Sequence, residues 1–137
     1  MPNLEQTNDC LCVIAESDPF LARLLQRFAE KIGLQIQLAR TGEDVLELAK
    51  RTPALIILDP ELPGKVRGWE AAQALRSASQ TRGIPVIIFS WLKKLDALAL
   101  IGQISAYIPK PDLSYEDFVE ALKIAGVKAP DQPEKPF

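Results

Sequence analysis

Residues 54–58 read ALIIL, an unbroken apolar run that ends at Asp59. A short run without polar alternation is typical of a strand that is buried on both faces of a parallel sheet. Two further runs have the same character, CLCVIA at residues 10–15 and PVIIF at residues 85–89. Three such strands predict a parallel sheet that is covered by helices on both sides.

Segments with helical spacing separate the strands. Asp18 followed by Pro19 is typical of a helix start, with Asp as the N-cap and Pro in the first turn. Further helices are predicted over residues 41–51, 69–77, 92–101 and 114–126. Two more strands are predicted over residues 34–38, where apolar Leu and Ile alternate with Gln and one face is wet, and over residues 106–109. Five strand–helix units in strict alternation predict a layered α/β fold with right-handed crossovers.

Composition narrows the classes of function. The chain has 137 residues, which is the size of one domain. It contains 16 Lys and Arg residues against 18 Asp and Glu residues, and because this balance is slightly acidic, nucleic acid is not expected as a direct partner. It contains no His, which excludes a histidine general base, a histidine metal ligand and a Ser-His-Asp triad. No apolar run approaches the roughly 20 residues that span a bilayer, and the N-terminus lacks a signal-peptide layout. We therefore expect a cytoplasmic protein that does not bind membranes.

The chain divides into three parts on the same grounds. We expect residues 1–9 to be loose and residues 10–127 to form the single folded domain. Residues 128–137 are rich in proline and charge and are expected to be disordered.

Polar residues stand where the predicted strands end. In open α/β sheets, binding and catalysis lie beyond the carboxyl ends of the strands. The residues at these ends are Glu16, Ser17 and Asp18 after the first strand, Asp59 after the third, Ser90 after the fourth and Lys110 after the fifth. An aspartate can accept a phosphoryl group as an acyl phosphate, which needs an oxygen-bound divalent cation and fixed cationic and hydroxyl donors. The pattern predicts a small acidic pocket with one cation.

Four motifs occur in an order and spacing that resembles the receiver domain of two-component response regulators. They are VIAESDP at residues 13–19, LIILDPELPG at 55–64, PVIIFS at 85–90 and YIPKP at 107–111. The resemblance covers about residues 10–126. It implies a flavodoxin-like (βα)5 fold, a doubly wound sandwich with a five-stranded parallel sheet in the order 2-1-3-4-5.

The resemblance also implies roles for individual residues. Asp59 matches the phosphoacceptor, Ser90 the hydroxyl that turns toward the phosphoryl group, and Tyr107 the aromatic residue that reports this turn. Lys110 matches the lysine of the site, and the bond from Lys110 to Pro111 matches one that is often cis in the family.

Mg²⁺ is the cofactor that the resemblance implies, held by Glu16, Asp59 and the backbone carbonyl of Glu61. Ser17 stands where the family has a second acid, and its neutral hydroxyl removes one charge from the metal site. Asp18 either compensates for this loss or serves only as the N-cap of the first helix.

Trp91 also departs from the family pattern, because the family has a small residue after the hydroxyl that Ser90 matches. Its ring either lies beside the acceptor, where it restricts phosphodonor access or shields an acyl phosphate from water, or packs on the neighbouring helix without a chemical role.

The resulting interpretation is a stand-alone receiver without enzymatic activity of its own. It takes a phosphoryl group on Asp59 from a histidine kinase or phosphotransfer protein. It signals to an unknown downstream protein through the face of the fourth helix, fifth strand and fifth helix, where two copies could also pair. Ser17 and Trp91 motivate an alternative, a pseudo-receiver that binds partners without phosphorylation. A nucleotide or flavin binder is disfavoured, because no glycine-rich phosphate loop follows the first strand.

Overall fold

A computed structural model describes residues 10–110 and 113–128. Strands and helices alternate along these residues: β1 (Leu11–Ala15), α1 (Pro19–Lys31), β2 (Gln35–Ala39), α2 (Gly42–Ala49), β3 (Leu55–Leu58), α3 (Gly68–Ser77), β4 (Val86–Ser90), α4 (Lys94–Ile101), β5 (Ala106–Pro109) and α5 (Tyr115–Ile124). The predictions for residues 1–9 and 129–137 and for the Lys110–Pro111 bond lie outside the described residues.

The sheet has the predicted topology. Its five described strands are all parallel and lie in the order β2-β1-β3-β4-β5, which confirms the flavodoxin-like fold. The register pairs Ala15 with Leu58, Leu58 with Ile88, and Ser90 with Pro109. The carboxyl ends of four strands therefore lie nearly level, so the polar residues that follow them meet at one edge of the sheet.

An apolar layer covers each face of the sheet. Along β1, Cys12 and Ile14 point into the layer beneath α1 and α5, whereas Val13 and Ala15 point into the layer beneath α2, α3 and α4. All five residues of β1 and all four of β3 are buried. The unbroken apolar runs thus arise because both faces of each central strand are covered by helices.

The edge strand β2 differs from the sequence pattern. The alternation predicted that Leu34, Ile36 and Leu38 would share a covered face, but only Leu34 is buried and Ile36 is half-buried. Leu38 is 43% exposed. It lines a cavity beside the first turns of α1, because β2 has a neighbouring strand on one side only.

Side-chain caps begin three of the helices as predicted. Asp18 accepts hydrogen bonds from the N–H groups of Phe20 and Leu21 at 2.9 and 3.3 Å, which confirms it as the N-cap of α1. Thr41 and Ser114 cap α2 and α5 in the same way. Of the helices that the structure describes, none is both long and apolar enough to cross a membrane.

Gly68 fixes how α3 approaches the loop that follows β3. A Cβ atom at Gly68 would lie 2.1 Å from the carbonyl oxygen of Asp59. The Gly68 N–H donates to the carbonyl of Leu62 at 3.0 Å, and the Trp69 N–H donates to that of Pro60 at 2.9 Å. This close backbone contact holds the loop in place directly beyond Asp59.

We expect Gly68→Ala to lower the free energy of unfolding by about 3 kcal/mol, because the added methyl group overlaps a backbone oxygen that cannot move without displacing Asp59. Urea unfolding followed by circular dichroism measures this change. Gly83→Ala is the matched control, since nothing lies within 4 Å of its added Cβ atom. Equal stability of the two variants would contradict the prediction.

Candidate functional site

Backbone hydrogen bonds extend the sheet by one residue at two strand ends. The Asp59 N–H donates to the Ala15 carbonyl at 3.0 Å, so the residue after β3 is still paired with β1. The Lys110 N–H donates to the Ser90 carbonyl at 2.9 Å, so the residue after β5 is still paired with β4. These bonds fix the backbone from which the two charged side chains project.

Lys110 joins two carboxylates in a buried cluster. Its Nζ lies 2.7 Å from Glu16 Oε1 and 2.9 Å from Asp59 Oδ2. The side chains of Lys110, Glu16 and Asp59 are only 2%, 2% and 8% exposed. The predicted meeting of the Lys110 amine with the Asp59 carboxyl group is confirmed. We call Glu16, Asp59 and Lys110 the ion cluster.

Backbone donors orient the same two carboxylates. The Asp18 N–H donates to Glu16 Oε2 at 2.9 Å, and the Glu61 N–H donates to Asp59 Oδ1 at 2.8 Å. Each of the four carboxylate oxygens therefore contacts one protein N–H or ammonium group. A carboxylate oxygen has two lone pairs, so each retains the capacity for a further ligand.

Burial and charge pairing shift the pKa values of Glu16 and Lys110 in opposite directions. Burial raises the pKa of the Glu16 carboxyl group above its usual value, although the hydrogen bonds from Lys110 and Asp18 act to lower it. Burial alone would lower the pKa of Lys110, but its hydrogen bonds with Glu16 and Asp59 raise that pKa above its usual value. Lys110 therefore stays charged at neutral pH. With both carboxylates ionised, the ion cluster has a formal charge of −1.

Two aromatic rings flank the Lys110 ammonium. The ring centroid of Phe89 lies 5.1 Å from Nζ and that of Trp91 lies 6.0 Å away. Phe89 is fully buried, whereas Trp91 is 59% exposed. The Trp91 ring therefore lies near Lys110 and is largely exposed, and its effect on phosphodonor access stays a prediction. The ring lies at the solvent side of the ion cluster.

Ser90 and Tyr107 contact the same residue of the β4–α4 loop. The Leu92 N–H donates to Ser90 Oγ at 2.9 Å, and the Tyr107 hydroxyl donates to the Leu92 carbonyl. Helix α4 begins at Lys94 rather than near Leu92, because side chains hold both backbone groups of Leu92. Burial, aided by the charge of Asp96, raises the pKa of Tyr107 and keeps its hydroxyl a donor.

The remaining predicted site residues lie around the ion cluster rather than in it. Ser17 is exposed and lines a neighbouring cavity, and the Asp18 carboxylate caps α1. The Glu61 side chain is exposed, and the hydrogen bond that links this residue to Asp59 comes from its backbone N–H.

The donor set is compatible with Mg²⁺ in kind but is small. Within residues 10–110 and 113–128, no group of three or more Asp, Glu, Cys or His side chains is arranged to hold a metal. The carboxylates of Glu16 and Asp59 are suitable ligands, because Mg²⁺ is often bound by one or two protein carboxylates together with phosphate oxygens. Lys110 already balances part of their charge.

Sequence reasoning missed two features of the site. The first is the direct contact of Glu16 with Lys110, for which the only signal was a side chain one methylene longer than aspartate. The second is the role of Leu92, which has no signal in the sequence because both contacts use its backbone.

Comparison with known proteins identifies relatives along most of the chain. A family profile of the response regulator receiver domain matches residues 12–123. The polar-differentiation response regulator DivK of Brucella ovis is 32% identical over 114 residues, which cover 81% of this chain and 91% of DivK. DivK of Brucella abortus strain 2308 matches to the same extent.

Solved structures share the fold. The signal receiver domain of a signal transduction histidine kinase from Syntrophus aciditrophicus superimposes with a TM-score of 0.73 at 26% identity, covering 93% of this chain and 98% of that one. The receiver domain of sensor histidine kinase PA1611 from Pseudomonas aeruginosa PAO1 has a TM-score of 0.73 at 19% identity, covering 85% of this chain and 97% of that one. That structure contains a magnesium ion coordinated in its active site cleft.

We expect Lys110→Met to lower the free energy of unfolding by about 3–5 kcal/mol at pH 7.5, because two buried carboxylates lose their shared cation. Burial raises the pKa of Glu16, and loss of the Lys110 contact removes an interaction that lowers it, so the folded variant holds a proton on Glu16 more readily than the unfolded chain does. Its stability deficit should shrink as the pH falls from 7.5 to 5.

Urea unfolding at the two pH values measures this effect. Lys50→Met is the control, since it removes an exposed lysine that pairs with Glu47 at 3.1 Å. If Lys110→Met and Lys50→Met have the same free energy of unfolding at pH 7.5, the ion cluster does not stabilise the fold as predicted.

Proposed function

The chain belongs to the response regulator receiver domain family, and from this premise we propose that Asp59 accepts a phosphoryl group from a histidine kinase or phosphotransfer protein. The observation that carries the proposal is the buried contact of 2.9 Å between Lys110 Nζ and Asp59 Oδ2. It places a fixed ammonium beside a carboxylate at the end of a parallel strand. An Asp59 oxygen attacks phosphorus, the bond to the donor histidine nitrogen breaks, and an acyl phosphate remains.

Lys110 and Ser90 stabilise the added charge in this proposal. The ammonium of Lys110 is close enough to Asp59 to contact an oxygen of the phosphoryl group, and its buried surroundings strengthen that interaction. The Ser90 oxygen accepts a bond from Leu92, so its hydroxyl hydrogen remains for donation to a phosphoryl oxygen.

In this proposal Leu92 connects the site around Asp59 to the face formed by α4, β5 and α5, through which the protein would signal. If Ser90 turns toward the phosphoryl group, its oxygen leaves the Leu92 N–H, and the loop before α4 loses one of its two side-chain contacts. The other contact comes from Tyr107 in β5, so movement of Leu92 also changes the position of that ring. The face formed by α4, β5 and α5 then differs between the two states and presents a different surface to a downstream protein.

Mg²⁺ is the proposed cofactor of this reaction, held by Glu16, Asp59 and the backbone carbonyl of Glu61. When bound, it supplies positive charge that neutralises phosphoryl oxygens. Ser17 provides no carboxylate, and Lys110 already pairs with both acids, so we propose weak binding that phosphate oxygens strengthen.

The second candidate function is a module that binds its partner without phosphorylation. The exposure of Ser17 and the pairing of both Glu16 and Asp59 with Lys110 favour it, because the ammonium already offsets part of the acidic charge that would attract a metal ion. In either case we propose a cytoplasmic protein that acts by binding other proteins and has no catalytic output of its own.

We expect acetyl phosphate with excess Mg²⁺ to add one phosphoryl group to the wild-type protein and none to Asp59→Asn. Intact-mass spectrometry measures the gain. Asp18→Asn is the matched control, because asparagine also caps helices and the acceptor is unchanged. An unmodified wild-type protein, tested also with a purified histidine kinase, would favour the second function over the first.

We expect Ser17→Asp to bind Mg²⁺ about tenfold more tightly than the wild-type protein, since one added charge interaction of roughly 1.4 kcal/mol gives that factor. Isothermal titration calorimetry without a phosphodonor measures the affinity. Ser79→Asp adds the same charge at an exposed turn and should leave the affinity unchanged. The metal assignment is wrong if Ser17→Asp and Ser79→Asp titrate alike.

A further inference from the structure

A cavity of about 380 Å³ lies next to the ion cluster, between the start of α1, the end of β2 and the loop after β3. Its volume falls in the range of roughly 300–1,000 Å³ that is common for small-molecule sites. The residues that line it and matter for its chemistry are Ser17, Ala22, Arg23, Gln26, Leu38 and Arg40. Of the residues that line the cavity, only Glu16 also has a role in the proposed phosphorylation.

Two cationic side chains reach the cavity from different elements. Arg23 lies in α1, and Arg40 directly follows β2. Neither guanidinium forms a hydrogen bond or an ion pair with another residue of the described ranges. Arg76 shows the contrast, since its Nε donates to the Gln103 carbonyl at 2.8 Å. Among the residues that the structure describes, nothing therefore competes with an anion for the donors of Arg23 and Arg40.

The acidic neighbour of the cavity does not cancel this charge. Glu16 lines the cavity, but both of its carboxylate oxygens already have partners. Oε2 accepts a hydrogen bond from the Asp18 N–H at 2.9 Å, and Oε1 forms an ion pair with Lys110 Nζ at 2.7 Å. The Gln26 side-chain nitrogen donates to Glu30, so the cavity donors are chiefly the two guanidinium groups and the Ser17 hydroxyl.

One wall of the cavity is apolar. Leu38 is 43% exposed here, although its place in the alternating pattern of β2 predicts a covered side chain. Ala22 and Pro19 of α1 continue this wall. An apolar group that covers Leu38 would remove its surface from water, at about 25 cal/mol for each Å².

We propose that this cavity binds a small organic anion. One phosphate or carboxylate group pairs with Arg23 and Arg40, whose planar guanidinium groups match the geometry of such oxyanions. The organic part of the ligand lies against Leu38. The proposal does not depend on phosphorylation of Asp59, because none of the anchoring groups belongs to the ion cluster.

Calorimetric titration of the full chain tests the ligand class with four probes. Phenylphosphonate and benzoate each carry an anion and an apolar ring, and the carbon–phosphorus bond of phenylphosphonate prevents phosphoryl transfer to Asp59. Inorganic phosphate lacks the ring, and benzyl alcohol lacks the charge. We expect at least one ring-bearing anion to bind with millimolar affinity or better, inorganic phosphate about tenfold more weakly and benzyl alcohol not detectably. The tighter of the two ring-bearing anions identifies the oxyanion. No binding of either one overturns the proposal.

Variants locate the bound anion. Arg23→Gln and Arg40→Gln should each weaken binding by about tenfold, because each removes a charge-assisted hydrogen bond. They change separate elements, so a folding defect in one leaves the other informative. Arg82→Gln makes the same change of charge at an exposed residue before β4, at the end of the sheet where the strands begin, and should bind like the wild-type protein. Equal weakening by Arg82→Gln, or loss of binding in Asp59→Asn, would place the anion elsewhere and overturn the proposal.

Discussion

The contacts of one buried ammonium with two buried carboxylates organise the functional edge of this protein. Lys110 Nζ contacts Glu16 and Asp59 at 2.7 and 2.9 Å, and these residues follow three different strands. A buried charge without a partner is costly, so each of the three groups requires the others in place. The sheet satisfies this requirement because its parallel strands end at nearly the same level and their pairing continues through Asp59 and Lys110.

The ion cluster is linked to the surface through backbone groups of a single loop residue. Leu92 donates to Ser90 and accepts from Tyr107, so the end of β4 and the Tyr107 ring of β5 both contact this residue. Helix α4 follows directly and has only eight residues. Hydrogen bonds therefore connect Asp59, through Lys110, Ser90 and Leu92, with Tyr107 on the face of α4, β5 and α5.

The turn after β1 separates the acidic ion cluster from a cavity that is lined by two arginines. On one side Glu16 points to Lys110, whereas on the other Ser17 lines a cavity that Arg23 and Arg40 make cationic. Because the side chain at position 17 is a neutral serine, it adds no negative charge to this cavity. The exposure of Trp91 beside Lys110 adds an aromatic surface at the mouth of the same site.

Local patterns determined much of this structure. The apolar runs at β1, β3 and β4 specify strands that are covered on both faces, Asp18 specifies where α1 begins, and the alternation of strands and helices leads to a parallel sheet. From that topology followed the proximity of Asp59 to Lys110, since carboxyl ends of parallel strands share one edge. Tertiary structure alone decided the exposure of Leu38, the position of Trp91, the reach of Glu16 to Lys110 and the double contact at Leu92. These features depend on which surfaces remain uncovered and on backbone groups of distant segments, and neither the residue type nor the periodicity of a segment carries that information.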